Sequence, residues 1–162
     1  DTYARYRDAL SDTVVALTVA PQQHPLAAGV IERIGREGLD DLLLPVGAIP
    51  QAELGRWFGA ADAVLFPTLL ESFSGTYLEA MHFGVPILTS DLDFAHDVCG
   101  PAAVYFDPWS PDAMRQAIRR VADAPDLRAQ LVQQGRQRLG TMFRSWQDVV
   151  RNALDVMDID HQ

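Results

Sequence analysis

Glu71 and Glu79 are separated by seven residues, Ser72-Phe73-Ser74-Gly75-Thr76-Tyr77-Leu78. An ionised carboxylate accepts hydrogen bonds from two adjacent hydroxyls, the pair that a ribose or a pyranose presents. Between the two acids, Ser74 and Gly75 lead into a short predicted helix that Gly84 closes and Pro86 stops. A helix start fed by small residues turns backbone N–H groups toward an incoming anion, and a diphosphate suits it. One carboxylate on each side of that helix start would grip both ends of a nucleotide diphosphate sugar. Spacing alone favours a plainer reading. Thr76 and Glu79 have the separation of a capping box, so Glu79 would cap its own helix, and Glu71 would be a solvated loop residue.

The elements that must position these residues alternate along the chain. Short apolar runs at 13–20, 42–46, 63–67, 86–90 and 102–106 read as strands. Pro45 sits awkwardly in the second for a central strand. Helical spacing appears in the opening residues (Tyr3, Tyr6, Leu10) and over 26–37 (Val30, Ile31, Ile34, with Gly38 as the stop). A further helix over 51–60 carries Leu54, Trp57 and Phe58 on one side. Ser110 caps a helix with Pro111 in its first turn, Pro125 starts the next, and Ser145 starts a last one. Continuous apolar strands separated by helices predict a parallel sheet covered on both faces. The predicted fold is α/β: a Rossmann-like three-layer α/β/α domain with a helical C-terminal tail. In such a sheet ligands bind beyond the carboxyl ends of the strands, where the Glu71–Glu79 loop lies.

Composition narrows the functions. The chain has 162 residues, enough for a single domain with a core that buries roughly 68–70% of the unfolded surface. Its 13 basic residues are all arginine, against 22 acids, for a net charge of −9. Such a surface repels phosphate backbones, so nucleic acid is not an expected partner. No apolar run approaches the roughly 18 residues of a membrane span, and no signal peptide is recognisable. The single cysteine, Cys99, rules out a disulfide framework and fits a reducing, cytoplasmic compartment. A chain that opens on Asp1 rather than Met is expected to be a piece of something longer.

Asp62-Ala-Val-Leu-Phe-Pro67, then Glu71-Ser-Phe-Ser-Gly-Thr-Tyr-Leu-Glu79-Ala-Met-His-Phe-Gly84-Val-Pro-Ile-Leu-Thr-Ser-Asp91, resembles the donor-binding domain of family 4 glycosyltransferases. Phe94-Ala-His-Asp-Val-Cys-Gly100 and Ala102-Ala-Val-Tyr-Phe-Asp-Pro108 are similar to that family's downstream segment, and Val46-Gly47 to its base-binding turn. The resemblance implies one half of a GT-B fold in a retaining enzyme that passes a sugar from a nucleotide diphosphate sugar to an acceptor hydroxyl. By the same resemblance Glu79 would hold the ribose. Glu71 would contact the donor sugar beside the N–H groups of Phe73, Ser74 and Gly75. Thr76 and Tyr77 would meet the diphosphate, and Gly47 and Ile49 would border the base. With these roles, capping and ribose binding are compatible for Glu79.

The chain departs from that pattern in two ways. Ser72 and Ser74 replace two glycines of the family's loop, which alters the sugar pocket, and Pro21-Gln22-Gln23-His24-Pro25 replaces a glycine-rich turn. The family's diphosphate-clamping Arg and Lys come from a first strand–helix unit that is expected to lie outside this chain, which has no lysine. The N-terminal acceptor domain is expected to lie outside it too. Residues 1–162 would then form a single nucleotide-sugar-binding domain, inactive alone, whose helix over 144–160 packs on the missing half. No catalytic residue is assigned within it. No metal or other cofactor is expected, and membrane association would belong to the full enzyme. The rival readings are a nucleotide-sugar-binding module without transfer activity and, more weakly, a GT-B nucleotide-sugar epimerase, for which no His-centred cluster is found. His82 reads as a structural, partly buried histidine, Cys99 as a small hydrophobe, and Trp57, Trp109 and Trp146 as core or interface residues. His96 with Asp97 lies near the expected ligand mouth.

Overall fold

The computed structural model describes residues 1–72 and 74–142. Phe73 and the stripe expected over 144–160, with Trp146, Val149, Val150, Leu154 and Met157, lie outside them. The elements follow in the order α1 (Thr2–Arg5), β1 (Val15–Leu17), α2 (Pro25–Arg36), β2 (Leu43–Pro45), α3 (Leu54–Ala60), β3 (Val64–Phe66), α4 (Gly75–Phe83), β4 (Ile87–Ser90), α5 (Asp93–Cys99), β5 (Ala103–Phe106), α6 (Pro111–Ala122) and α7 (Pro125–Met142).

All strand pairs are parallel, but the strands form two ladders rather than one. β1 pairs with β2 in the register Val15↔Leu43, while β3, β4 and β5 form a three-stranded sheet with Val64↔Ile87 and Ile87↔Ala103. The run at 13–20 contributes only Val15–Leu17 to a ladder. Pro45 is accommodated because β2 pairs on one side only and ends at that residue.

Side-chain alternation divides the interior into two layers. Val15, Leu17, Leu43, Leu65, Leu88, Val104 and Phe106 face one layer, which Tyr3, Leu10, Ile34, Ile118, Val121 and Leu131 cover from the helical side. Val64, Phe66, Ile87, Ala103 and Tyr105 face the other, under Phe58, Tyr77, Met81, Val98 and Cys99. β4 is buried at every position, as a strand covered on both faces must be. Each large apolar side chain removed from water there contributes roughly 1.5–3 kcal/mol. The GT-B expectation of a parallel sheet between helical layers holds. Val30 is exposed on α2, against its expected inward side, and Trp57 on α3 is exposed beside a buried Phe58; with Trp109 75% exposed in the turn after β5, neither tryptophan belongs to the core of this domain.

Helix ends are set by local chemistry. Ser110 accepts from the Ala113 N–H at 3.2 Å and Pro111 follows at N1, as the sequence predicts. The N-cap of α2 is His24, whose Nδ1 accepts from the Leu26 N–H at 3.1 Å ahead of Pro25. Arg128 donates to the carbonyls of Val121 and Ala122, satisfying the end of α6 from α7.

Candidate functional site

The loop after β3 and helix α4 hold the predicted site. Ser74 is the N-cap of α4, buried and extended at φ −103°, but its side chain makes no capping bond. The Tyr77 N–H reaches the Ser74 carbonyl at 3.3 Å. Among the described residues the N–H groups of Gly75 and Thr76 have no acceptor. Two backbone donors without an acceptor among the described residues therefore stand at the positive end of a nine-residue helix.

Helical spacing turns Gly75, Thr76 and Glu79 to one side of α4, while Tyr77, Ala80 and Met81 are buried on the other. The capping-box reading of Glu79 fails on this geometry. The N-cap is Ser74, two residues earlier than Thr76, which puts Glu79 at the fifth helical position. Its partly buried carboxylate accepts no hydrogen bond among the described residues. A ligand at the helix start would find this acid one turn along on the same face. Glu71 is also partly buried and without a hydrogen-bond partner among the described residues. Burial pushes the Tyr77 phenol above its ordinary range against the effect of the Thr89 bond, and the negative charge of Glu71 adds to the shift. Glu71 therefore lies within electrostatic reach of α4.

The buried side of α4 is pinned. The Tyr77 hydroxyl lies 2.6 Å from that of Thr89, which donates to the Phe66 carbonyl at 3.1 Å. These contacts tie the first turn of α4 to the carboxyl ends of β3 and β4. Its other end closes on Gly84 at φ 72°, with the Val85 N–H on the Ala80 carbonyl at 2.8 Å.

Gly47 and Ile49 follow β2, on the other ladder. Gly47 has φ 75°, and a Cβ there would lie 3.9 Å from that of Ala20, so the loops after β1 and β2 meet at this point. These loops belong to the β1–β2 ladder, whereas the start of α4 belongs to the β3–β4–β5 sheet. Leu70, 85% exposed, stands next to Glu71.

Sequence reasoning missed two features here. Asp91, just past β4, pairs with His96 at 2.6 Å, and the His96 ring stacks on Tyr105 at 3.9 Å between centroids. Ser90, the last residue of β4, is fully buried with a hydroxyl that has no partner among the described residues. The five-residue spacing of Asp91 and His96 was the only signal available for the pair. His82 is exposed on α4, edge-on to Phe83, rather than partly buried. Among the described residues no group of three or more His, Cys, Asp and Glu side chains is placed to hold a metal ion. Nor is any described helix long and apolar enough to cross a membrane.

Residues 15–138 match the family described as glycosyl transferases group 1. The chain belongs to that family. The MMP alpha-(1->4)-mannosyltransferase of Mycolicibacterium hassiacum is 29% identical over 77% of this chain and 31% of its own length. Among solved structures, the sucrose-phosphate synthase of Thermosynechococcus elongatus superposes with a TM-score of 0.76 at 20% identity, over 96% of this chain and 41% of that one. Anabaena Alr3699/HepE in complex with UDP superposes with a TM-score of 0.77 at 17% identity, over 94% and 44%. The group 1 domain described here thus has the fold of GT-B glycosyltransferases and spans about a third of the mannosyltransferase. In it, α4 starts at the carboxyl end of β3, with Glu71 before it and Glu79 within it.

Proposed function

We propose that this chain is the donor-binding half of a retaining glycosyltransferase acting on a nucleotide diphosphate sugar. The observation that carries the reading is α4, with two N–H groups at its start that have no acceptor among the described residues and Glu79 one turn along on the same face. Glu79 accepts hydrogen bonds from the ribose hydroxyls, and Glu71 from the donor sugar beside the N–H groups of Phe73, Ser74 and Gly75. The diphosphate sits on the helix start at Thr76 and Tyr77. Because the Tyr77 N–H already leans on Ser74, Thr76 and Gly75 carry most of that contact. Gly47 and Ile49 border the base. The UDP bound by Alr3699/HepE agrees with a nucleotide donor.

In the complete enzyme the bond from the anomeric carbon to the diphosphate breaks, and the acceptor oxygen bonds to the same face of that carbon. The acceptor proton passes to the departing phosphate. Positioning the donor and neutralising the leaving group supply most of the rate. The helix start supplies part of that charge, so no metal or other cofactor is required. The remaining cations belong to a strand–helix unit outside this chain, which contains no lysine, and the acceptor belongs to a further domain. The domain alone is then inactive.

Calorimetric titration with UDP, GDP and ADP tests the reading. One nucleotide should bind, at least about tenfold more weakly to Glu79→Ala, the loss of one or two charge-assisted hydrogen bonds. Binding that Glu79→Ala leaves unchanged would remove the ribose role. The absence of lysine favours one alternative, a nucleotide-sugar-binding module without transfer. Sugar transfer by the longer gene product would eliminate it.

A further inference from the structure

The loop after β1 closes on a histidine. His24 precedes Pro25, and a residue before proline is pushed into extended backbone, here φ −163° and ψ 146°. That is the N-cap conformation, and the His24 Nδ1 accepts from the Leu26 N–H at 3.1 Å. Asparagine, aspartate, serine and threonine ordinarily fill this position, and none of them loses its acceptor between about pH 5 and 8. An imidazole does. Its Nδ1 accepts only while unprotonated, so the bond also fixes the proton of the neutral ring on Nε2.

The cap is linked to the loop it ends. The Gln23 N–H donates to the Ala20 carbonyl at 3.0 Å, and the Gln23 side-chain carbonyl accepts from the Ala20 N–H at 2.5 Å. Ala20 in turn meets the turn after β2, where a Cβ on Gly47 would lie 3.9 Å from its own. The Val46 N–H, bonded to the Leu17 carbonyl at 2.9 Å, ties the bases of both loops together. Within these segments His24 stands alone as a titrating group. Residues 13–31 hold no other ionisable side chain, and residues 42–52 hold none. The nearest along the chain are Asp12, Asp41, Glu53 and Glu32, the last two turns further along α2. His24 is exposed, and among the described residues no carboxylate or guanidinium pairs with it. Solvent therefore reaches the ring, and no paired acid would offset its charge.

We propose that neutral His24 is a pH-sensitive latch on the loop over residues 18–24, released when its ring takes up a proton from solvent. Protonation converts Nδ1 from acceptor to donor, so two N–H groups face each other where one hydrogen bond stood. It also sets a positive charge on the positive end of a twelve-residue helix. Both effects act in one direction. The contribution of the cap is present where the ring is neutral and is lost as falling pH protonates it. With the cap gone, the Leu26 N–H loses its acceptor, and Gln23 and Ala20 lose the fixed end that holds them against the Gly47 turn. The inference concerns the loop and stands apart from the ligand assignments.

Solution NMR of the 162-residue chain between about pH 8 and pH 5 tests it, with His24→Asn supplying a cap that does not titrate in that range. At the upper pH the His24 ring nitrogens should show the Nε2–H form. Across the titration the Leu26, Ala20 and Gly47 amide signals should shift together in the parent and stay still in His24→Asn. Urea unfolding gives a second readout. The unfolding constants of the two proteins should agree within about twofold at about pH 8. At about pH 5 the parent's should exceed the variant's by about fivefold or more, the loss of one cap. His82, His96 and His161 are present in both proteins and cancel from that comparison. An Nδ1–H ring at the upper pH overturns the inference. So does a Leu26 signal that moves without Ala20 and Gly47, or the same pH dependence of unfolding in both proteins.

Discussion

The Tyr77 hydroxyl lies 2.6 Å from the Thr89 hydroxyl, and both residues are almost wholly removed from solvent, at 2% and 0% exposure. The two groups differ in what remains when the partner is lost. In Tyr77→Phe, Thr89 still donates to the Phe66 carbonyl, and the cost should be about 1 kcal/mol. In Thr89→Val the buried phenol is orphaned, and the cost should be larger, about 1–3 kcal/mol. Urea unfolding of both variants checks the order. A Thr89→Val variant as stable as the parent would show that the pair holds nothing in place.

Gly84 ends α4 in the left-handed region at φ 72°, and a Cβ there would stand 3.0 Å from an Arg136 nitrogen and 3.4 Å from a Val132 methyl. Gly84→Ala should therefore destabilise by about 1–2 kcal/mol, with the backbone contributing most because the Arg136 side chain is able to move. Gly29→Ala, at a helical site with open space, serves as the control and should be neutral or slightly stabilising.

Burial pushes the Cys99 thiol up to about 12 from an ordinary value near 9. The folded state holds the proton that the unfolded chain releases first. Its contribution to stability is thus complete below about pH 9 and is lost progressively as pH rises toward 12. Cys99→Ala should flatten the fall in Tm between pH 8 and about 10.5 without abolishing it, since burial raises Tyr105 and Tyr77 in the same direction. A thiol reagent at pH 8 should label native protein only through unfolding.

The Asp91–His96 pair is short but open to water, at 60% and 47% side-chain exposure. His96→Gln should cost less than about 1 kcal/mol in thermal unfolding, because solvent screens the pair. A loss of several kcal/mol would place its weight instead in the stack on Tyr105.

What the sequence determined alone is what depends on short spacings. Ser110-Pro111 announces a helix start because hydroxyl cap and fixed proline φ act within one turn. Gly84 announces a helix end because a left-handed residue is needed there. The apolar runs announce parallel strands because burial on both faces removes alternation. The spacing from Glu71 to Glu79 likewise marked the loop that the structure puts at the carboxyl end of β3. Tertiary structure decided what those spacings left open. The separation of Thr76 and Glu79 is the same in a capping box and in a free carboxylate, and only the choice of Ser74 as N-cap separates them. His24 became a cap through one backbone dihedral, and Trp57 faced solvent while Phe58 turned inward, because the packing of neighbouring elements selects which side of a short helix is covered. The division into two ladders was not legible at all. Which strand edges meet depends on crossover handedness and on partners distant in the chain, and no local spacing records either.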